Sequence, residues 1–291
     1  IGCGLGETAV MFARRGALVT ASDISPQMIQ VTEQLARRYG VSIATRVGPA
    51  ESVDLPAGGF DVVFTANTLH HLADRGDLDA NMAVKLAAMV LVMHRNARSA
   101  DLAQWLSAVE MYIEQNTEAF RAYPDLFPEA AVMRLEMGSR DELERLRPLL
   151  IKRGHRGFVR HGHGDLHLGN VAVVNGAPVA FDAIEFSPVI ASGDVLYDLG
   201  FLLMDLIERG QVANANVVLN GYFGPSAPLE ALDGLAALPF FMSLRAAIRA
   251  KVTAARVDQT KGNDLAVTSS ARRYFDLALR LLRRVEPSLI G

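Results

Sequence analysis

Residues 161–186 read HGHGDLHLGNVAVVNGAPVAFDAIEF. The stretch predicts two short strands, 171–174 and 178–181, which flank the pair Asn175-Gly176. Asn-Gly between two apolar runs is a strong signal for a tight β-hairpin turn. Long amphipathic helical runs precede the stretch, and the chain after it is expected to be helical to its end. The sequence therefore predicts a helix-rich α+β domain around this hairpin.

The predicted hairpin brings two oxygen-bearing side chains together. A turn centred near Gly176 places Asn170 and Asp182, six residues to either side, opposite each other. Facing residues on paired strands have Cβ atoms roughly 5 Å apart. A register that differs by one residue would change the partners but would keep the two ends close. The pair is therefore expected to suit a shared metal ion.

The polar residues of this stretch have the spacing of a phosphoryl-transfer loop. His163-Gly164-Asp165 is followed by Asn170, five residues after the aspartate. A hydroxyl that attacks a γ-phosphoryl group needs a carboxylate to orient it and accept its proton, and Mg²⁺ on the triphosphate needs oxygen ligands. Asp165 suits the base, and Asn170 with Asp182 suits the metal.

This part of the chain resembles the aminoglycoside phosphotransferase family, which has the protein-kinase-like fold. The resemblance rests on HGDLHLGN at 163–170, FDAIEF at 181–186 and DVLYDLGFLLMDL at 194–206, and it covers about residues 76–291. It implies a kinase C-lobe that transfers the γ-phosphoryl group of Mg-ATP to a hydroxyl of a small molecule. It does not identify that acceptor.

The resemblance also implies roles for individual residues. Asp165 is expected to be the catalytic base, Asn170 and Asp182 the Mg²⁺ ligands, and His163 the loop histidine that braces the turn. For Glu185 a metal or substrate contact and a structural role are both open.

Other polar residues are open to a structural and a functional interpretation. His167 is expected to be structural, with a contact to phosphate or substrate as the alternative. Asp194 and Asp198 are expected to cap a helix or hold the catalytic loop, and His94 to pack at a helix end. Four basic residues form either a solvated helix face or a set of contacts for an anionic substrate: Arg245, Arg249, Lys251 and Arg256.

The N-terminal lobe that such a kinase needs is not found in this sequence. That lobe supplies a glycine-rich strand pair over the phosphates and a strand lysine paired with a helix glutamate. Here the glycine-rich start runs into a helix, and Lys85 lies in a predicted helix. ATP affinity is therefore expected to be poor.

The first 74 residues follow a different pattern. IGCGLG at 1–6 precedes a predicted helix, 7–15, and then a strand that leads to Asp23. Glycines let the backbone approach a nucleotide-like ligand, and an acidic residue after the following strand can accept hydrogen bonds from ribose hydroxyls. Further strands are predicted at 43–47 and 60–65, so that the segment reads as an α/β, parallel βαβ arrangement.

Three further motifs strengthen this pattern: DISPQM at 23–28, GFDVV at 59–63 and LHHL at 69–72. Together with the glycine loop they resemble class I S-adenosylmethionine-dependent methyltransferases, over about residues 1–74. The resemblance implies a Rossmann-like fragment. It also implies contacts with the cofactor. The methionine part would lie over the glycine loop of Gly2, Gly4 and Gly6, and the ribose would bind Asp23.

The methyltransferase pattern is incomplete. The first strand of the family is missing before the glycine loop, its later strands do not follow, and Pro49 stands where an acidic residue is often found. Two interpretations are open: a remnant layer without cofactor, and residual binding of S-adenosylmethionine. His70 and His71 would point to opposite faces of a strand, so structural or solvated roles are expected.

The composition of the chain limits the classes of function to be considered. The 291 residues are 50% hydrophobic and 21% charged, which is typical of globular proteins. A net charge of −3 gives no indication of a nucleic-acid or membrane partner. Cys3 is the single cysteine and no apolar run reaches the roughly 18 residues of a membrane span, so a cytoplasmic location is expected. Because the chain opens on Ile1, the true N-terminus is expected further upstream.

The sequence thus predicts two truncated families joined near residues 72–78. Three functions are open: a phosphotransferase acting on a small molecule, an S-adenosylmethionine-dependent methyltransferase, and a non-catalytic fusion or fragment.

Overall fold

The computed structural model of the protein describes residues 2–49, 53–56, 59–62, 78–174, 176–224, 229–259 and 265–283. The chain forms two compact units, Ile1–Arg75 and Gly76–Gly291. The smaller unit is an α/β layer, and the larger unit is helix-rich with four short strands in two antiparallel pairs.

The smaller unit alternates helices and strands. Its elements are α1 (Glu7–Arg14), β1 (Val19–Asp23), α2 (Pro26–Arg38) and β2 (Ile43–Val47). The two strands pair in parallel, from Val19 opposite Ile43 to Asp23 opposite Val47. A parallel pair requires a crossover connection, which α2 provides. This is the parallel βαβ arrangement that the sequence predicts.

Helix α2 begins as its sequence indicates. The backbone N–H of Met28 donates to Ser25 Oγ at 3.4 Å, and Pro26 occupies the first helical position. The predicted strand at 60–65 is not found over residues 60–62. Its remaining residues lie outside the described part of the chain, as do His70 and His71.

The larger unit opens with three long helices and then alternates short strands with helices. The helices are α3 (Ala80–Asn96), α4 (Leu102–Arg121), α5 (Glu129–His155), α6 (Pro188–Ala191), α7 (Val195–Glu208), α8 (Val212–Phe223), α9 (Leu229–Leu232), α10 (Leu238–Gln259) and α11 (Leu265–Leu281). The strands are β3 (Val159–His161), β4 (Val171–Val174), β5 (Ala177–Ala180) and β6 (Ser192–Asp194). Strand β3 pairs with β6, and β4 with β5, both antiparallel.

Helix α7 is the centre of this unit. Every residue from Val195 to Leu206 is buried, as expected for a helix that is apolar on all sides. The helix packs against α8 and α10. The Tyr197 ring lies 4.8 Å from that of Trp105 on α4 and 5.7 Å from that of Phe241 on α10. Two carboxylates, Asp198 and Asp205, are buried within this apolar helix and therefore need partners.

Among the described residues, no single helix has both the length and the apolar composition of a membrane span. The bent helix pair Glu230–Ala236 and Leu238–Arg256 meets both criteria only when its two helices are taken together.

Candidate functional site

The backbone of the loop between β3 and β4 is held by a buried carboxylate. Asp198 Oδ2 accepts the N–H of His163 at 2.9 Å, and its Oδ1 accepts the N–H of Gly164 at 3.0 Å. The carboxylate thus binds two consecutive backbone donors just before Asp165. The sequence-based expectation that Asp198 holds the loop agrees with these contacts.

Asp198 has further partners that keep it ionised. His94 Nε2 lies 3.2 Å from its Oδ2, and Arg245 Nη2 lies 3.8 Å from its Oδ1. Burial alone would raise the pKa of Asp198, but the hydrogen bond and charge of His94, the charge of Arg245 and the His163 N–H outweigh burial. The pKa of Asp198 falls to about 2.

Glycine at position 164 is required by both conformation and space. Its φ is +81°, in the left-handed region that side chains rarely adopt. A Cβ there would lie 2.9 Å from Ile184 Cγ1 and 3.1 Å from the Ala191 Cα. The loop therefore passes too close to its neighbours for any other residue.

His163 connects the loop to the segment that follows the hairpin. Its ring Nε2 lies 2.8 Å from the carbonyl oxygen of Phe181, and its own carbonyl accepts the Ile184 N–H at 2.9 Å. The ring is buried. These two bonds connect the loop to the backbone on both sides of Asp182.

Asp165 and Asn170 are in direct contact. Asn170 Nδ2 donates to Asp165 Oδ2 and to the Asp165 carbonyl oxygen, each at 3.0 Å. His167 Nε2 lies 3.5 Å from the same Oδ2, while His167 Nδ1 accepts the Gly169 N–H at 3.0 Å. His167 therefore faces the Asp165 carboxylate and closes the loop on itself, in keeping with its expected structural role.

The Asp165 carboxylate is ionised and accessible. Its side chain is 37% exposed. Burial raises its pKa, but the hydrogen bond and charge of His167, with the charges of Arg245 and Arg249, outweigh burial and lower the pKa below its usual value. The carboxylate can therefore accept a hydrogen bond from a hydroxyl at neutral pH.

The predicted hairpin forms, but its predicted register is wrong by one residue. Val171 faces Ala180 and Val174 faces Ala177, so Asn170 faces Phe181, whose N–H donates to the Asn170 carbonyl at 3.0 Å. The symmetry axis of a two-residue turn falls between its two central residues and not on the glycine. Asp182 therefore follows the residue opposite Asn170.

Asp182 has an unusual backbone conformation. Among the described residues it is the only one other than glycine with a positive φ, +60°. Such conformations cost about 1–3 kcal/mol and concentrate at functional sites. The side chain is exposed, as is that of Glu185. Asp182 thus combines a strained backbone with an exposed carboxylate, and it directly follows Phe181, whose N–H bonds to the Asn170 carbonyl.

The far end of the loop is held by a second carboxylate of α7, which sequence reasoning missed. Asp205 Oδ2 accepts the Leu168 N–H at 2.9 Å and the Arg209 Nε–H at 3.1 Å. The available signal was a pair of acidic residues inside an otherwise apolar helix, since buried carboxylates need partners. Asp194 caps α7 as expected and also forms a buried ion pair with Arg153 at 2.6 Å.

The interpretation of the basic residues as a solvated helix face is wrong for Arg245, whereas His94 is buried at a helix end as expected. Arg245 does not lie on a solvated face: it is buried, its Nη1 donates to the Gly164 carbonyl at 2.9 Å, and its guanidinium stacks 3.8 Å from the Tyr197 ring centroid. His94 does more than pack at a helix end, because it bridges Asp198 and the Tyr222 hydroxyl, 2.9 Å from its Nδ1. Periodicity alone could not place these residues, since their partners lie far away in sequence.

In the smaller unit, the glycine loop and Asp23 are brought together. The Gly4 N–H donates to Asp23 Oδ2 and the Ser25 N–H to Asp23 Oδ1, each at 2.9 Å. Gly2, Gly4 and Gly6 all have positive φ. A Cβ at Gly6 would lie 2.6 Å from Thr32 Oγ1. The carboxylate thus orders the loop, and each of its oxygens retains a lone pair for a further donor.

Over the described residues, no group of three or more His, Cys, Asp or Glu side chains could hold a metal ion. The expected metal pair, Asn170 and Asp182, therefore depends on further ligands from the nucleotide or water.

Comparison with known proteins supports one of the two resemblances. Residues 1–88 match the family model described as a methyltransferase domain. The ubiquinone biosynthesis O-methyltransferase of Methylocella silvestris is 40% identical over 73 residues, 25% of this chain and 28% of that protein. Its counterpart from a Caulobacter species is 35% identical over 109 residues, 36% of this chain and 43% of that protein.

A longer match involves an uncharacterized protein of Mycobacterium tuberculosis. It is 31% identical over 222 residues, 74% of this chain and 42% of that protein. Since the smaller unit holds only 75 residues, this match includes more than half of the larger unit. No solved structure matches the chain.

This chain spans less than half of the length of these curated relatives. None of their descriptions names a phosphotransferase. The comparisons thus support the methyltransferase resemblance of the N-terminal residues, whereas the phosphotransferase interpretation of the larger unit depends on its own residues and geometry.

Proposed function

We propose that the larger unit is a phosphotransferase lobe that transfers the γ-phosphoryl group of ATP to a hydroxyl of a small molecule. One observation carries the proposal: an ionised Asp165 is held by Asn170 and His167 in a loop whose backbone is bound by Asp198. A carboxylate that is ionised, accessible and rigidly placed is what the orientation of an attacking hydroxyl requires.

The residues present fit a magnesium nucleotide. Both side-chain hydrogen bonds of Asn170 use its Nδ2, which directs its Oδ1 oxygen away from Asp165. The exposed carboxylate of Asp182 follows the residue opposite Asn170. Amide and carboxylate oxygens are the hard ligands that Mg²⁺ prefers. Magnesium bound there would neutralise negative charge on the phosphates.

The chain's own residues would orient the acceptor and receive its proton. The contacts of Asn170 and His167 with the Asp165 carboxylate both engage Oδ2. Oδ1 is therefore the atom that would accept a hydrogen bond from the substrate hydroxyl and take its proton as the phosphoryl group is transferred. His163 would act as a positioning residue, because it fixes the backbone on both sides of Asp182.

The test is Mg-ATP-dependent ADP release in the presence of a panel of small polyhydroxy compounds. Asp165→Asn should reduce the rate at least 100-fold, since general-base catalysis contributes about 10²–10⁴-fold. Asp141→Asn is the matched control, because Asp141 is exposed on α5. A rate unchanged by Asp165→Asn would refute the proposed role.

The smaller unit carries a second candidate function, and the comparisons favour it directly. We infer that this unit is derived from an S-adenosylmethionine-dependent methyltransferase and that its glycine loop and Asp23 form the cofactor half-site. The match of residues 1–88 to the methyltransferase domain and the hydrogen bond from Gly4 to Asp23 support this inference.

Isothermal titration with S-adenosylmethionine tests the second function. Binding to the full chain should be lost in Asp23→Ala and retained in the exposed control Asp141→Asn. No detectable binding at millimolar cofactor would refute it.

A further inference from the structure

Three buried polar side chains connect α8 through α3 to α7. The Tyr222 hydroxyl lies 2.9 Å from His94 Nδ1, and His94 Nε2 lies 3.2 Å from Asp198 Oδ2. All three residues are buried. Polar groups at such depth must be paired, because an unpaired one would cost several kcal/mol or less favourable alternatives would win. We call Tyr222, His94 and Asp198 the buried network.

The packing of α8 on α3 brings the first two members of the buried network together. A Cβ at Gly221 would lie 2.9 Å from the Ala87 Cβ, so glycine lets α8 approach α3 closely just before Tyr222. Ala87 and His94 are both buried and lie about two turns apart, on the same face of α3. Arg160 holds the end of that helix, because its Nη1 donates to three carbonyl oxygens there, at 3.0–3.4 Å. The His94 ring is therefore placed by two helices and a cap.

The hydrogen-bond partners of His94 select one position for its proton. Asp198 is ionised at neutral pH and only accepts, so Nε2 of His94 must carry a proton. Burial raises the pKa of Tyr222, so its hydroxyl keeps its proton and can donate to Nδ1. In a neutral imidazole one nitrogen donates and the other accepts. The Tyr222 hydroxyl therefore favours the tautomer with the proton on Nε2.

Asp198 extends the buried network to the loop between β3 and β4. Its Oδ2, the atom that His94 contacts, also accepts the His163 N–H, and its Oδ1 accepts the Gly164 N–H. A Cβ at Gly162 would lie 2.8 Å from Oδ2, so the loop backbone passes directly over this oxygen. A small rotation of the carboxylate would therefore move the loop or break one of its two bonds.

Gly164, the residue before Asp165, is held on both sides. Its N–H is bound by Asp198, and its carbonyl oxygen accepts the Nη1–H of Arg245 at 2.9 Å. We propose that Tyr222 and His94 are positioning residues for Asp165. The Tyr222 hydroxyl selects the His94 tautomer that donates to Asp198, and Asp198 in turn fixes the backbone that presents the Asp165 carboxylate. The inference rests on the proposed phosphotransferase function for its effect on catalysis, whereas the buried network can be measured without any reaction.

The tautomer is tested first, by nitrogen NMR of the full chain with ¹⁵N-labelled histidine. At pH 7 the His94 ring should carry a proton on Nε2 and none on Nδ1, and Tyr222→Phe should change this pattern. His94→Gln identifies the His94 signals by their disappearance. Tyr39→Phe is the matched control, because it removes the hydroxyl of an exposed tyrosine. A proton on Nδ1 in the unmodified chain, or a pattern that Tyr222→Phe leaves unchanged, overturns the inference.

Hydrogen exchange of the His163 and Gly164 amides measures how firmly the loop is held. His94→Leu should speed this exchange about tenfold or more, as expected for loss of a hydrogen bond to a charged group. His94→Gln should retain most of the protection, because its amide N–H can replace Nε2–H. The amides of α11 report global unfolding in the same samples. Equal acceleration in α11 and in the loop would mean general destabilisation and overturns the inference.

ADP release separates the buried network from the reaction. In an active chain, His94→Leu should lower kcat about tenfold or more, with little change in KM for Mg-ATP, because it displaces the base and not the nucleotide. Loop exchange that responds as expected in a chain that releases no ADP supports the network and refutes only the phosphotransferase function. ADP release with an unchanged kcat in His94→Leu supports that function and overturns the inference.

Discussion

Replacing Asp198 by asparagine tests whether one buried carboxylate holds the loop between β3 and β4. The substitution keeps the shape of the side chain but removes its charge and places an NH₂ group against the N–H of His163 or Gly164. The fall of the Asp198 pKa from 3.8 to about 2 corresponds to about 2 kcal/mol, at about 1.4 kcal/mol per unit of pKa. One unpaired buried N–H adds about 1–3 kcal/mol. We expect a loss of about 3–5 kcal/mol at pH 7.

The loss of folding stability caused by Asp198→Asn should also depend on pH. The folded-state pKa of Asp198 is depressed, so its stabilisation is fully present above pH 4 and is lost as the pH falls through about 2. At pH 3 roughly half of the charge contribution has gone. The difference between wild type and Asp198→Asn should therefore be about 1 kcal/mol smaller at pH 3 than at pH 7.

Urea denaturation followed by tryptophan fluorescence measures this effect in the larger unit alone. Trp105 is the single tryptophan of the chain, it is buried, and its ring packs on Tyr197, the residue before Asp198. Asp141→Asn should change the free energy of unfolding by less than about 0.5 kcal/mol. A penalty below about 1 kcal/mol at pH 7, or an equal penalty at both pH values, would refute the reasoning.

Three further predictions concern the two sites. Gly164→Ala should lower the free energy of unfolding by about 1–3 kcal/mol in the same urea assay, because of its φ of +81° and the close Ile184 side chain. Asp182→Gly should raise the thermal midpoint, by relief of about 1 kcal/mol of backbone strain, while it abolishes ADP release. Binding of Mg-ATP to the chain should be weaker than micromolar by calorimetry, because the described residues contain no glycine-rich strand pair that could cover the phosphates of the nucleotide.

Each of these has a result that would contradict it. An unchanged urea midpoint for Gly164→Ala would mean that the loop can move away from Ile184. Destabilisation by Asp182→Gly would mean that the side chain, and not strain, dominates at this position. Submicromolar Mg-ATP affinity would show that the nucleotide site is complete.

Local signals in the sequence predicted the elements well. Ser25 and Pro26 start α2 where capping rules place it, and an Asn-Gly pair marks the hairpin between β4 and β5. These features are set by interactions within a few residues. The hairpin register was wrong by one because the turn axis was assumed to pass through Gly176, and pattern alone does not locate the axis.

Long-range partners were harder to predict. Arg245 was grouped with other basic residues by proximity in sequence, yet it contacts Gly164, 81 residues earlier in the chain. His94 contacts Asp198 across 104 residues. The sequence indicates only that a charged residue will need a partner if it is buried. Which residue becomes that partner depends on the fold.

Helix α7 carries Asp198 and Asp205, and Asp194 is its N-cap. The three acidic residues are four and seven residues apart, which places them on one side of the helix. Asp198 and Asp205 hold the two ends of the loop between β3 and β4, and Asp194 anchors the helix start to Arg153. Both ends of the loop are thus held by one buried helix, and Arg245 of α10 adds a further bond to the Gly164 carbonyl. Substitutions in the outer helices at positions that contact neither the loop nor Asp198 should therefore leave the loop in place, so that the surface around it can change in small steps.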